Sequence, residues 1–218
     1  MKADLHIHSN FSNDGKSTVE EIVAEAVEKG LGCIAITDHN SFEAYDLVKD
    51  NGKVIVMPGI EVSSEEGHIL AYGVSGDIPR GMTIKETIDA IHEAGGVAFA
   101  AHPYRWWSGL GEKNTLENNF DGIEARNARS TASSNRRSEA LAARTGKPVS
   151  AGSDAHTPQC VGDGVVELPD SVSTWQDALK AVMEGKAKPA SANRRASSTL
   201  RYGAKSIVEW IMRGFKRM

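Results

Sequence analysis

The five residues Asp4–His8, DLHIH, belong to a segment, Lys2–His8, whose apolar content and length predict a β-strand. Side chains at i and i+2 of a strand share a face, with Cβ atoms ~7 Å apart, so His6 and His8 can grip one ion. An isolated pair of this kind is more often structural than metal-binding. Its meaning depends on what the rest of the chain places at matching addresses.

Further strands are expected at Cys33–Thr37, Val54–Pro58, Ile69–Val74, Val97–Ala101, Gly122–Ala125, Val149–Ser153 and Gly164–Leu168. Between them lie amphipathic segments of helical length, the signature of β/α units. Three of these open on capping-box patterns: Ser17 with Glu20, Thr83 with Glu86, and Ser173 with Gln176. In the first, Val19, Ile22, Val23, Ala26 and Val27 form a stripe at helical spacing and are expected to pack into the core. Segment Ser108–Asn119 is polar and reads as a surface loop. The alternation fits either an open doubly wound sheet or a closed barrel. The glycine-rich phosphate fingerprint of a dinucleotide-binding sheet is missing, which lowers the first option.

Six of the seven histidines share one kind of address. His6 and His8 end the first strand, His39 follows CIAIT, His102 follows VAFAA and His156 follows VSAGS. Loops after strand C-termini build the sites of β/α folds, so these positions point to one rim. His68 opens HILAYG at the start of a strand, so its placement is less direct. Carboxylates join them: Glu61 after VIVMPGI, Asp154 two residues before His156, and Asp14 in the loop after His8. Burying imidazoles and carboxylates together without a cation leaves unpaired polar groups, each costing about 1–3 kcal/mol. A metal cluster is the economical reading. Its nitrogen and oxygen donors suit Mn, Fe or Zn and disfavour a structural zinc–thiolate site. Nine donors exceed what one ion needs, so two or three divalent ions are expected, with Glu61 as the natural bridge. The seventh histidine, His92, lies in a helical segment and reads as a solvated or satisfied side chain.

Composition sets the limits. The chain has 218 residues, 40% hydrophobic and 25% charged, ordinary for one medium domain. A net charge of −4 gives no electrostatic case for a nucleic-acid coat. No apolar run approaches the ~18 residues of a membrane helix, and the first residues do not resemble a signal peptide. Two distant cysteines, Cys33 and Cys160, suit a reducing cytoplasm, with Cys33 read as a small core residue. From about Ala190 seven basic residues face one acid, Glu209. The segment 190–218 is therefore expected to be a basic tail appended to a domain at 1–189. Within it, Ile207, Ile211, Gly214 and Phe215 align at helical spacing and predict an amphipathic helix.

The ordered set DLHIHS, DG, TDHN, PGIEVS, GHILAYG, AHP and GSDAH resembles the PHP (polymerase and histidinol phosphatase) family of metal-dependent phosphoesterases, from Lys2 to about Lys188. The resemblance implies a distorted barrel of about seven β/α units with its metals at the strand C-termini. It implies one ion on His6, His8, Glu61 and Asp154, a second on Glu61, His68 and His102, and a third on Asp14, His39 and His156. The short path from PGIEVS to GHILAYG looks most like the nucleotide and nucleic-acid phosphoesterase branch. Members of that branch often carry an inserted domain between the histidines equivalent to His68 and His102. Only 33 residues separate them here, which favours small substrates over long oligonucleotides.

The chemistry such a set supports is hydrolysis of a phosphate ester by a metal-bridging hydroxide. Arginines complete a phosphate site by bidentate contacts, and Arg105, Arg129 and, less directly, Arg126 are the candidates, with Asn127 beside them. Trp106 and Trp107 follow Arg105 and could stack a base or wall the pocket. The leading expectation is a phosphoesterase acting on nucleotides, nucleoside bisphosphates or short oligonucleotide ends. The alternatives are a phosphomonoesterase of histidinol-phosphate or phosphotyrosine type, and an inactive metal-bearing regulatory module.

Overall fold

Strand β1 (Lys2–Ile7) runs parallel to β2 (Cys33–Ile36), and β2 runs parallel to β3 (Ile55–Ser63). This structure, a computed structural model, describes residues 1–192. Strand β4 (His68–Tyr72) folds back antiparallel on β3, and β5 (Val97–Ala100) is antiparallel to β4. Strands β6 (Gly122–Asn127) and β7 (Val149–Gly152) then continue parallel to β5. The expected barrel is therefore present, distorted by one reversed strand. That reversal explains His68. Ser63 at the end of β3 pairs with His68 at the start of β4, so a strand's beginning reaches the rim where its neighbours end.

The sheet closes where the segment after β7 meets β1. Asp154 donates its N–H to the His6 carbonyl at 2.7 Å, and His8 donates to the Ala155 carbonyl at 2.8 Å. The approach requires a glycine at 152, because a Cβ there would lie 2.2 Å from the His6 Cβ. Beside this seam β8 (Gly164–Glu167) pairs antiparallel with β1, and β9 (Lys188–Ala192), reached through an intervening helix, pairs antiparallel with β8. The side chain of Asp4 fastens the seam, accepting from the N–H groups of Ser153 at 2.9 Å and Gly162 at 2.7 Å. Strand β9 is not among the expected strands. It carries the sheet to Ala192, past residue 189; the basic tail and its expected amphipathic helix otherwise lie outside the described residues.

Ala3, Leu5, Met57, Leu70, Tyr72, Phe99 and Ala151 fill the barrel, with α6 (Trp175–Met183) packed against the same cluster. Helix α1 (Val19–Glu28) covers β1 and β2 from outside, burying Val19, Ile22, Val23 and Ala26 beside Ile7, Ile34 and Ile36. Burying such a side chain contributes about 1.5–3 kcal/mol. Val27, expected in that stripe, is 47% exposed because it falls one position round the helix from the apolar face. Leu5 and Ile7 have equal parity on β1 yet pack in different clusters. The pairing register with β2 shifts between Asp4 and Ile7, and beyond the shift His6 and His8 face the barrel mouth.

Two capping boxes form one residue later than the sequence pattern suggests, on Thr18 with Glu21 and Thr174 with Asp177, while Thr83 with Glu86 caps α3 (Ile84–Glu93) as expected. In both shifted cases a Ser-Thr pair offers two hydroxyls, and the threonine takes the N-cap. Segment 108–119 is not a plain loop. It contains α4 (Gly111–Glu117), preceded by buried Leu110 and anchored by Thr115. The remaining helices are α2 (Glu43–Val48) and α5 (Ala132–Thr145). None of the helices in the described residues is long and apolar enough to cross a membrane.

Candidate metal centre

Glu61 stands at the focus of the rim, fully enclosed near the end of β3. Its Oε2 lies 3.3 Å from His6 Nε2, 3.2 Å from His8 Nε2 and 3.3 Å from His39 Nδ1. Its Oε1 lies 3.1 Å from His68 Nδ1 and 3.0 Å from His102 Nε2. Five imidazoles from four different segments thus converge on one carboxylate. Asp154, His156 and Asp14 extend the group: His156 Nε2 is 2.8 Å from Asp14 Oδ2, and His8 Nε2 is 3.5 Å from Asp154 Oδ1. All nine residues singled out in the sequence are brought together.

Their subdivision differs from that implied by resemblance. His6, His8 and Glu61 form one compact donor group, and His39, Glu61 and His68 another. His8 also groups with Asp14, His39 and His156, and His102 groups with His6 and Asp154. The donors form one continuous patch in which His6, His8, His39 and Glu61 each serve two neighbouring positions.

Backbone strain is concentrated here. Among the described residues only Asn40, His102 and Asp154 are non-glycines with positive φ, at 55°, 28° and 52°. Two are candidate ligands and the third follows His39. Such conformations cost about 1–3 kcal/mol each and persist where surrounding bonds over-determine them. Asn40 is held by paired bonds with Ser63, and His102 by its N–H to Glu124 Oε2 at 2.7 Å.

The three candidate phosphate-site residues lie beside Asp154. Arg105 donates to Asp154 Oδ2 at 2.6 Å and to Asn127 Oδ1 at 2.5 Å, and Arg129 donates to Asp154 Oδ1 at 2.8 Å. Asn127 Nδ2 donates to Glu124 and to Asp154. Arg126 instead pairs with Glu139 on α5. His92 is tied to Asp121 at 2.7 Å, as a satisfied helix histidine should be. Cys33 is fully buried in the core.

Sequence reading missed two fully buried carboxylates, Glu124 and Asp38. Glu124 Oε1 lies 2.9 Å from His6 Nδ1. Asp38 accepts from the Ser9 N–H and hydroxyl and from Ser12 Oγ. Glu124 was detectable: Ile123 packs outward against Leu141 and Ala142, so a strand alternation places Glu124 inside the barrel.

Comparison with known proteins agrees with this geometry. A family model described as PHP-associated matches residues 132–187. The uncharacterized protein MJ1587 of Methanocaldococcus jannaschii is 40% identical over 143 residues, 59% of this chain and 82% of that protein. The fold matches a two-domain Bacteroides vulgatus protein containing a predicted PHP-like metal-dependent phosphoesterase, with a TM-score of 0.74 at 20% identity, over 88% of this chain and 65% of that one. The chain belongs to the PHP family of metal-dependent phosphoesterases. A phosphoribosyl 1,2-cyclic phosphate 1,2-diphosphodiesterase of Eggerthella lenta is 36% identical over 88 residues. This chain spans only 33% of that enzyme's length.

The rim suits the divalent ions of the PHP family. Asp14 Oδ1, His39 Nδ1 and His102 Nδ1 are buried without a hydrogen-bond partner, and all three belong to the donor patch. Charge states are set for metal binding. Burial would raise Glu61, but His6, His68 and His39 hold it well below the usual carboxylate range. Burial would likewise raise Asp154, and Arg105 and Arg129 hold it down. Burial, reinforced by Arg105 for His102 and by Arg129 for His156, lowers each of these imidazoles to about 4, leaving neutral donors. His6 goes the other way: Glu61, Glu124 and Asp154 overcome burial and raise it well above 6.5. The same three carboxylates that favour a proton on His6 would favour a cation bound there.

Proposed function

We propose that this PHP protein hydrolyses phosphate esters of small substrates: nucleotides, nucleoside bisphosphates or short oligonucleotide ends. The observation that carries the reading is the Glu61 carboxylate within 3.3 Å of five imidazoles, a donor set with no use other than to surround cations. His6, His8, Asp14, His39, Glu61, His68, His102, Asp154 and His156 would hold two or three Mn, Zn or Fe ions. Once bound, such ions lower the pKa of a shared water and neutralise phosphoryl oxygens.

The chain's own groups then fix the substrate. Arg105, Arg129 and Asn127 line the side of the patch formed by Asp154, where guanidinium N–H groups can bind phosphoryl oxygens and favour the charge that develops as the ester bond breaks. His6, His8, Glu61 and Asp154 keep the reacting centre in place from opposite ends of the chain. The loop after His102 limits size. Ser108 receives the His68 N–H at 3.1 Å, so the loop lies over the start of β4, and Trp106 within it is 72% exposed. That indole offers a face to a base. Between His68 and His102 there is only β4, α3, β5 and their turns, which supports a short substrate over a long strand.

The diesterase name of the Eggerthella lenta relative supports phosphoester chemistry on a sugar-bearing compound. The test is turnover of mononucleotides, bisphosphates, a dinucleotide, sugar phosphates and a long single strand by protein loaded equally with Mn or Zn. Preference for the small nucleotide esters is expected. Preference for the long strand overturns the size argument, and no hydrolysis of any ester overturns the enzyme reading in favour of a regulatory module.

A further inference from the structure

Around the two histidines of DLHIH, the hydrogen bonds leave little freedom in the placement of protons. Ser12 Oγ lies 2.7 Å from Asp38 Oδ1, 2.9 Å from the His39 N–H and 3.1 Å from His8 Nδ1. A hydroxyl has one proton and two lone pairs. The carboxylate can only accept, so the proton goes to Asp38. One lone pair receives the His39 N–H, and the other is left for His8, whose Nδ1 must therefore carry a hydrogen. The lone pair of His8 is then on Nε2.

His6 reaches the same state by a different partner. Its Nδ1 is 2.9 Å from Glu124 Oε1, again an acceptor, so Nδ1 carries the hydrogen and Nε2 the lone pair. Glu124 is itself fixed: Oε1 also accepts from Asn127 Nδ2 at 3.0 Å, and Oε2 accepts from the His102 N–H at 2.7 Å. The two Nε2 atoms face one another at 3.1 Å. With both rings neutral, two lone pairs at that distance repel, and either a proton on His6 or a cation beside them relieves the repulsion.

We propose that Glu124 and Asp38, the latter acting through Ser12, are positioning residues that set the tautomers of His6 and His8 and so hold both Nε2 lone pairs toward the metal patch. This rests on the metal reading above and extends it to residues that touch neither metal nor substrate. Carboxylates behind metal-bound histidines orient the ring and raise its basicity, and losing them weakens metal binding about 10–100-fold. Glu124 has a second duty. By accepting the His102 N–H it holds that residue at its positive φ, so one carboxylate disciplines two donors from two strands.

Glu124→Gln makes the dependence visible. An amide offers one accepting oxygen where the carboxylate offers two, so either the His6 Nδ1–H or the His102 N–H must face an NH2 group. Ser12→Ala removes the acceptor behind His8 without disturbing a charge, and Ser12→Thr keeps the hydroxyl.

The experiment combines nitrogen NMR of 15N-histidine-labelled protein with zinc affinity measured against a chromophoric chelator. In zinc-loaded protein His6 and His8 should each show a protonated Nδ1 and a metal-shifted Nε2; zinc on Nδ1 of either ring overturns the proposal. In metal-free protein at alkaline pH the same Nδ1–H tautomers should persist. Folded Glu124→Gln and Ser12→Ala should each raise the zinc Kd about 10–100-fold, with Ser12→Thr restoring wild-type affinity. Unchanged affinity in both variants overturns the positioning role. If Glu124→Gln does not fold, Ser12→Ala and the wild-type spectra still decide. If the wild-type chain binds no zinc, it is the metal reading that fails, and the metal-free spectra still report the tautomers.

Discussion

The N–H of Asp154 donates to the carbonyl of His6 at 2.7 Å, so the bond that closes the barrel joins two members of its donor patch. One backbone hydrogen bond therefore serves both the seam of the fold and the alignment of the site. Asp154 also takes the charge of Arg105, whose side chain is 4% exposed, and of Arg129. Removing one partner of a buried ion pair leaves the other uncompensated, which costs about 3–5 kcal/mol. Asp154→Ala should therefore destabilise the metal-free protein by that order in denaturant unfolding with chelator present. A loss below about 1 kcal/mol, the value of an exposed pair, would show that the arginines are satisfied elsewhere.

Glu61 governs metal content. Elemental analysis of wild-type protein resupplied with Mn should find at least two ions per chain. Glu61→Gln keeps the shape but withdraws a charge shared by two of the donor groups, so occupancy should fall at two positions together. Loss of a single ion, or none, would remove Glu61 from the bridging position.

Much of this arrangement was legible in the sequence because donors sat at strand ends, where a period-2 pattern stops and a loop begins. His39, His102 and His156 needed only that rule. His68 needed more, since its place depends on β4 running backwards, and hairpin direction is set by pairing rather than by local pattern. Ser108–Asn119 looked like loop because α4 buries little apolar surface of its own; Leu110 before it and Thr115 within it hold it down. β9 was missed because KPASA has neither alternation nor bulk, and it exists through pairing with β8. The alternation of β6 marks Glu124 as facing inward but names no partner for it, and Asp38 carries no spacing signal. Asp38 meets Ser9 and Ser12 through the pairing of β1 with β2, and Glu124 meets His6 only across the closed barrel.

Asp4 gives a pH dependence that can be isolated. Burial, against four opposing hydrogen bonds, raises its carboxyl from 3.8 to about 6. A group with a raised native pKa binds its proton more tightly folded than unfolded. Its contribution is therefore complete below about pH 4 and is lost as pH rises through about 6. The span corresponds to about 3 kcal/mol. In metal-free protein the stability difference between wild type and Asp4→Asn should shrink by that order from about pH 4 to about pH 7. Histidine titrations common to both chains cancel in the difference. A pH-independent difference in chemical unfolding would mean that the three backbone N–H groups at Asp4 keep it ionised throughout.

The reaction separates two kinds of residue that lie within hydrogen-bond reach of each other. Asp154 belongs to the donor patch, whereas Arg105 and Arg129 lie on its outer side and contact it only through N–H groups. His6→Ala, His8→Ala and Asp154→Ala should each abolish most phosphoesterase turnover, and combining them should add little, because residues serving one unit are strongly non-additive. Arg105→Ala should leave at least two ions bound while lowering kcat/KM by an amount equivalent to about 2–4 kcal/mol, the value of a donor aimed at developing charge. Arg105→Lys should recover only part of this, since a compact ammonium cannot reproduce the planar guanidinium whose Nη2 meets both Asp154 and Asn127. The check is metal content and steady-state kinetics on the same preparations. If Arg105→Ala loses metal in step with activity, the guanidinium holds the donor patch together by neutralising Asp154, and the phosphate contact must be assigned to Arg129 instead.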